Sequence, residues 1–383
     1  MPHTADVIVI GGGVIGTATA WRLALAGATV TLVDPRPGTG ATETAAGMLA
    51  PVTELHYGEE PLLHLNMRAA TGYAEFVAEL EQATGADVGY RRTGTVVAAW
   101  DGGDLAALRD LHRFQLSLGL RADLLSAADL RGLEPSLAPG LPGGLYAGDD
   151  HAVDPRRLHA ALLVAAESAG VQVERQVATS LAGSEAVTGA VLADGTELSA
   201  ALTVLAAGAR SATIAGPAGS EVRAVVGAVR PVKGQTLRLR LDHPDRLGHV
   251  TRGWVRGTPV YLVPRVDGEL VVGASSEEAG YDETPRAGVI YELLRDAQAL
   301  LPGVMEMQWR EVSTGLRPGT PDNAPLIGPA SIGGLVLATG HYRNGVLLAA
   351  VTAEAIAGLV VDGSLPEWAA PFGPGRFTSL VAT

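Results

Sequence analysis

The chain has 383 residues, enough for two or three folding units at roughly 150 residues each. Hydrophobic residues make up 47%, which excludes extended disorder, and a formal net charge of −13 argues against a nucleic-acid partner, because an acidic surface repels phosphate. The absence of cysteine excludes disulfides, thiolate metal sites, a cysteine nucleophile and a cysteine-tethered cofactor.

In chain order, Val7–Ile10 is short, β-branched and followed by glycines, the pattern of a buried parallel strand. Val14 to Ala26 reads as a helix of small residues, and Thr29–Val33 as a second strand ending at Asp34, which completes a βαβ unit. A Gly/Thr/Ala-rich loop covers 35–51, and 61–84 has helical spacing. Residues 87–99 turn to strand, 105–118 and 127–133 look helical, and Asp154-Pro155 starts a helix to Ala169. Strands are expected within 171–187, at 202–206, and as longer runs at 225–241 and 260–273. A helix at 286–301, a strand at 335–338 and a helix at 345–359 complete the series.

The expected fold is α/β (α+β). A Rossmann-like nucleotide-binding domain at 1–82, 148–222 and 312–383 is interleaved with an antiparallel-sheet domain at 83–147 and 223–311. No basic region precedes the first strand, so no signal peptide is expected. The apolar stretch 346–361 is interrupted by Thr352 and Glu354 and reads as too short and too polar for a membrane span. A cytoplasmic protein without a membrane partner is the expectation.

The strongest motif is Gly11-Gly12-Gly13-Val14-Ile15-Gly16. Gly11 permits the tight turn, Gly13 admits a pyrophosphate to the backbone, and Gly16 lets the helix pack on the strand. The helix N-terminus faces the phosphates, and Asp34 can accept ribose hydroxyls. Such a fingerprint suits NAD or FAD equally. Further on, 202–211 is an apolar strand ending in Ala207-Gly208, which by itself is an ordinary strand and turn. Residues 313–328 and 338–347 crowd Gly and Pro around arginines without helical or strand periodicity, and the second segment opens a helix. A plain loop with an N-cap at Asn344 is the alternative. The histidines are scattered, and no metal site is expected.

GGGVIG, ATETAAGMLAP (41–51), PVKGQ (231–235), YLVPR (261–265), GLRPGTPDNAPLIG (315–328) and GHYRNGVLLA (340–349) span nearly the whole chain. In these pieces the sequence resembles the D-amino-acid oxidase family of flavoproteins, with its glutathione-reductase-type fold, and GHYRNG favours the glycine oxidase branch that serves bacterial thiazole (thiamine) biosynthesis. The resemblance implies noncovalent FAD lined by Gly11, Gly13, Val14, Ile15, Gly16, Asp34, Pro35, Ala41, Thr42, Ala46, Gly47, Met48, Val177 and Gly208. His341, Tyr342, Arg343, Asn344, Gly345, Val346 and Leu347 would approach the flavin ring. Arg317 would hold the substrate carboxylate with Tyr261 and Arg343, and Met48 would line the same pocket. A guanidinium fork matches a carboxylate, and a tyrosine hydroxyl can share it. A surface ion pair is the alternative for Arg317, which its Gly/Pro setting disfavours; without the family, Tyr261 reads nearly as well as a half-buried strand tyrosine.

The implied reaction is oxidative deamination of glycine, sarcosine or small D-amino acids to the imine and glyoxylate, with dioxygen reduced to hydrogen peroxide. The imine would supply dehydroglycine for thiazole formation. The alternatives are a D-amino-acid or sarcosine dehydrogenase or oxidase using another acceptor, and an FAD-bearing protein without turnover. The resemblance also suggests a homotetramer. One departure stands out: glycine oxidases carry histidine two positions before the tyrosine, and here that position is Pro259. Strong preference for glycine itself is therefore not expected.

Overall fold

A computed structural model describes residues 4–216, 226–240 and 247–380. Two eight-stranded sheets organise them. In the first, Thr4–Ile10 lies at the centre, parallel to Val30–Val33 on one side and to Glu197–Leu205 on the other. Gln172–Glu174 extends one edge and Leu335–Thr339 the other, both parallel, and Leu326–Pro329 closes the latter edge antiparallel. Strands buried on both faces carry continuous apolar runs, and Val7, Ile8, Val9 and Ile10 are all buried. Helices Val14–Leu25, Glu60–Thr84, Pro155–Ser168 and Gly345–Asp362 contribute to the core on this sheet.

The second sheet runs in the order Gln308–Gly319, Arg230–Arg240, Glu269–Gly273, Thr258–Pro264, Val250–Val255, Thr95–Ala99, Gly143–Ala147 and Asp123–Ser126. Its pairs are antiparallel except Val250–Val255 with Thr95–Ala99. Helix Ala287–Leu300 covers one face through Leu293, Ala297 and Leu300. On the other face Val250, Val263 and Val271 pack with Ala46, Met48 and Ala152.

Local chemistry explains several boundaries. The Asp154 side chain accepts the Arg156 and Arg157 N–H groups with Pro155 in the first turn, as the sequence signal implies. Gly85 ends helix Glu60–Thr84 in the left-handed region at φ 70°. The expected strand 260–273 is a hairpin instead, because Asp267-Gly268 makes a turn between Thr258–Pro264 and Glu269–Gly273. The expected strand 225–241 is Arg230–Arg240; residues 225 and 241 themselves lie outside the described set. The expectation of no periodicity over 313–328 is corrected: 313–319 belongs to the strand Gln308–Gly319 of the second sheet. Gly315, Pro318 and Gly319 hide its alternation. The same strand runs through residue 312, where the boundary of the nucleotide-binding domain was expected.

Helix Gly345–Asp362 has the length and apolarity of a membrane span, contrary to the sequence expectation. Its apolar length is used in the core instead, where Leu348, Ala349, Ala353, Ala355 and Ile356 are fully buried.

Candidate functional site

The glycine motif folds into a tight cradle. Gly11 sits at φ 109°, and a Cβ there would lie 2.5 Å from the Ala206 carbonyl oxygen. A Cβ on Gly16 would lie 1.8 Å from the Gly11 oxygen. These contacts let helix Val14–Leu25 close on the strand, while Ala206-Ala207, at the end of Glu197–Leu205, backs the loop. Gly13 is the N-cap and supplies no side chain; the Thr42 hydroxyl accepts the Val14 N–H at 3.0 Å in its place. His159 donates from Nε2 to the Gly12 carbonyl at 2.8 Å and braces the loop from behind.

Asp34 follows the second strand. One carboxylate oxygen accepts the Gly12 N–H at 2.7 Å and the other the Arg36 N–H at 2.8 Å. Pro35 is exposed beside it, and Val177 is exposed on the neighbouring edge, where the Glu174 carbonyl accepts the Asp34 N–H. The carboxylate thus ties the glycine loop to the strand end and stands where ribose hydroxyls can reach it. Asp34→Ala is expected to weaken FAD binding by about 1.5–3 kcal/mol, roughly tenfold to a hundredfold. Titration of apoprotein with FAD checks this, and unchanged affinity would reduce Asp34 to a loop closure.

Segment 41–48 runs from the cradle to the second sheet. Ala41–Thr44 is one helical turn, and Gly47 at φ 76° packs against the Val153 carbonyl. Ala46 is buried, and Met48 packs with Tyr261 in one small cluster. Gly208, at φ 55°, accepts the Thr339 hydroxyl through its carbonyl.

On the site-facing surface of the second sheet, two glycines make room for larger side chains. A Cβ on Gly273 would meet the Tyr261 ring and hydroxyl at 2.4 Å. A Cβ on Gly234 would meet the Arg317 guanidinium at 2.4 Å. The ring and the guanidinium therefore lie across bare backbone, and Arg317 donates to the Ser275 carbonyl at 3.0 Å. Burial raises the Tyr261 pKa above its usual 10, against the influence of Arg317, so the phenol remains a donor. Pro259 lies two residues along the same strand, hence on the same face, and is exposed.

Arg252 sits opposite Tyr261 in the strand register and pairs with Glu54 at 2.6 Å. Arg343 also meets Glu54, at 3.1 Å, and pairs with Glu59. Burial opposes charge on Glu54, but Arg252 and Arg343 outweigh it and hold its pKa below the ordinary glutamate value. Two arginines thus face two carboxylates. The structure places Arg343 in this network, beside the Tyr342 ring, rather than free to take a substrate carboxylate. Among the described residues no carboxylate lies within ion-pair distance of Arg317, which feels Glu54 only at longer range and so has no direct carboxylate partner.

The loop before the last helix completes the enclosure. Tyr342, at φ 47°, donates its N–H to the Pro318 carbonyl and so ties 340–344 to the strand bearing Arg317. Gly345 opens the helix, Val346 and Leu347 are buried in its first turn, and Asn344 is buried with its Nδ2 lacking a partner. An orphaned donor at a helix N-terminus suits a polar ring edge. Together with the glycine cradle, the described residues fit FAD.

His341 is buried, with Nε2 2.9 Å from the Thr352 hydroxyl, and burial pushes its pKa down to about 3. A histidine depressed in the folded state contributes stability that is complete above about pH 6.5 and is lost as pH falls towards 3. Each unit below 6.5 therefore costs about 1.4 kcal/mol until the folded value is reached. His341→Gln is expected to flatten the fall in stability between pH 6.5 and 5. Denaturant melts at both pH values test this, and equal slopes would refute it.

Sequence reading missed Glu54, Glu59 and Arg252, whose relevance is a matter of pairing in space. It also missed Asp150, which accepts the Val52 N–H, the Thr53 N–H and the Thr53 hydroxyl, and whose pKa burial raises to about 6. His159, one of the scattered histidines, was not singled out either, although it braces the Gly12 carbonyl. No local pattern marks any of these.

A family model described as DAO, FAD dependent oxidoreductase, matches residues 6–359. The chain is 34% identical over 380 residues to the bifunctional protein ThiO/ThiG of Synechocystis sp., covering 98% of this chain and 55% of that protein. It thus spans about half the length of such relatives. It is 31% identical to the glycine oxidase of Geobacillus kaustophilus over 384 residues, covering 100% of this chain and 99% of the relative. The crystal structure of glycine oxidase from Geobacillus kaustophilus superposes with a TM-score of 0.88 over 98% of this chain and 99% of that one, at 31% identity. Iminodiacetate oxidase from Chelativorans sp. BNC1 superposes with a TM-score of 0.84 at 25% identity, over 96% of this chain and 98% of that one.

Proposed function

The chain belongs to the DAO family of FAD-dependent oxidoreductases, and from that premise we propose that it oxidises a small amino acid with a free carboxylate at the carbon bearing the amine. The observation that carries this reading is Arg317. It is a half-buried guanidinium without a carboxylate partner among the described residues, set against the Tyr261 hydroxyl, while Arg252 and Arg343 are already compensated by Glu54 and Glu59.

When bound, FAD supplies a two-electron acceptor for the substrate Cα–H bond and an outlet to dioxygen, which leaves as hydrogen peroxide. The chain's own residues bind and orient. Arg317 takes the carboxylate as a fork, Tyr261 donates a hydrogen bond to it, and Met48 walls the pocket beside Tyr261. Arg343 positions the 340–344 loop through Glu54 and Glu59 rather than touching substrate. The substrate is oxidised to its imine, and water then releases glyoxylate and ammonia when the substrate is glycine.

The likeness to glycine oxidases and to ThiO/ThiG supports glycine, sarcosine or small D-amino acids as substrates, and supports supply of the imine to thiazole formation. Pro259 offers no imidazole nitrogen and no N–H donor at the exposed end of the Tyr261 face, which supports tolerance of an N-alkyl substituent. Peroxide release over glycine, sarcosine and D-alanine tests the reading, with sarcosine expected to match or exceed glycine. Acid precipitation should leave the yellow flavin in the supernatant, since no cysteine can tether it. Rapid flavin bleaching by substrate with slow reoxidation in air would indicate a dehydrogenase instead.

A further inference from the structure

The short segment between the cradle and the substrate face is held by donors that do not touch the nucleotide loop. The Glu43 carbonyl accepts from both Arg156 Nε and Arg238 Nη2, each at 3.1 Å. The Thr44 carbonyl accepts the Thr236 hydroxyl at 3.2 Å, and the Ala46 carbonyl accepts Arg265 Nη2 at 2.6 Å. Arg265 Nη1 also holds the Val153 carbonyl at 2.8 Å. Thr236 and Arg238 stand on strand Arg230–Arg240, and Arg265 follows strand Thr258–Pro264, so most of the grip comes from the second sheet. Gly315 allows the approach: a Cβ there would lie 2.7 Å from the Thr44 hydroxyl oxygen.

These are costly residues to place here. The Arg238 side chain is 2% exposed and that of Arg265 6%. Arg238 has Glu269 at 2.5 Å, but the nearest carboxylate of Arg265 is Asp154, at 3.9 Å. Apolar side chains of similar volume fill a buried space at less cost than guanidinium groups. What an apolar residue cannot do is satisfy the carbonyls at the end of the Ala41–Thr44 turn. That turn delivers the Thr42 hydroxyl to the N-terminus of the dinucleotide helix, and its continuation delivers Met48 to Tyr261.

Resting on the reading that FAD is the cofactor, we infer that Arg238, Arg265, Thr236 and Arg156 are positioning residues for FAD, acting through segment 41–48. The second sheet then sets cofactor affinity as well as substrate binding. The segment has the shape the nucleotide needs only while the two sheets are docked, so cofactor retention reports on docking.

The test uses full-length protein stripped of flavin and titrated with FAD, followed by flavin fluorescence and by the visible band of the reconstituted enzyme. Arg265→Met and Arg238→Met are expected to raise the FAD dissociation constant at least tenfold and to shift the visible band, with Arg265→Lys recovering most of the loss. Thr236→Val, which removes one hydroxyl, and Arg156→Gln, at a less buried position, are expected to weaken binding about threefold. These two carry the test if the methionine variants do not fold. Affinity within twofold of wild type and an unchanged band in every folded variant would overturn the inference, even if melting temperature falls. A wild type that takes up no FAD would overturn the proposed function itself, a result distinct from variants that bind as wild type does.

Discussion

Replacing Arg317 by alanine is expected to lower kcat/KM for small amino acids by about 2–5 kcal/mol, or roughly thirtyfold to several thousandfold. The guanidinium lies on the bare backbone of Gly234, is steadied by the Ser275 carbonyl, and has no carboxylate of the protein within ion-pair distance among the described residues. Without it, a substrate carboxylate enters a partly desolvated site with only the Tyr261 hydroxyl to meet it. If that interaction is equal in ground and transition states, the loss falls on KM; if it orients the reacting carbon, kcat falls too. The neighbouring Arg252 and Arg343 are not expected to substitute, because Glu54 and Glu59 occupy them. Steady-state kinetics on glycine and sarcosine, set against methylamine and dimethylamine, provide the check. Wild type that oxidises the amines as well as the acids would show that no carboxylate clamp operates and that the enzyme is an amine oxidase.

Gly16→Ala is expected to cost about 3 kcal/mol or more of stability and to weaken FAD binding by a hundredfold to more than ten-thousandfold. The added Cβ would fall 1.8 Å from the Gly11 carbonyl oxygen, so strand and helix must separate. Overpacking of this kind costs about 1–3 kcal/mol and sometimes more. Moving the loop also misaligns N–H groups aimed at a pyrophosphate. Losing two charge-assisted hydrogen bonds at about 1.5–3 kcal/mol each accounts for the expected affinity range. Urea melts of the apoprotein and FAD titration separate the two effects. Retention of FAD at wild-type affinity would mean that the glycine loop does not carry the phosphates.

Both predictions concern residues that stand out in the sequence, but for different reasons. Gly11, Gly13 and Gly16 are legible because strand, turn and helix meet within a few residues, although only the missing Cβ of Gly16 answers to a neighbour along the chain, Gly11, while Gly11 itself is pressed by Ala206. Asp34 and the Asp154-Pro155 helix start are legible on the same grounds. Arg317 and Tyr261 were legible through a family resemblance; their strand setting was not, because the glycines and proline of Gln308–Gly319 erase its alternation.

The strand–turn–helix of the cradle was therefore legible in the sequence alone, since the Gly16 contact with Gly11 acts over a short distance along the chain, whereas its backing by Ala206, Thr42 and His159 was decided by the tertiary structure. Which arginine remains available to a substrate was decided only by the tertiary structure. Arg252 meets Thr53, 199 residues away, and beside it Glu54; Arg343 meets Glu59 across 284 residues. The grip of Arg238 and Arg265 on segment 41–48 likewise joins residues 195 and 219 positions apart. Charge compensation and carbonyl capping depend on distance in space, and spacing along the chain leaves no periodic trace of either.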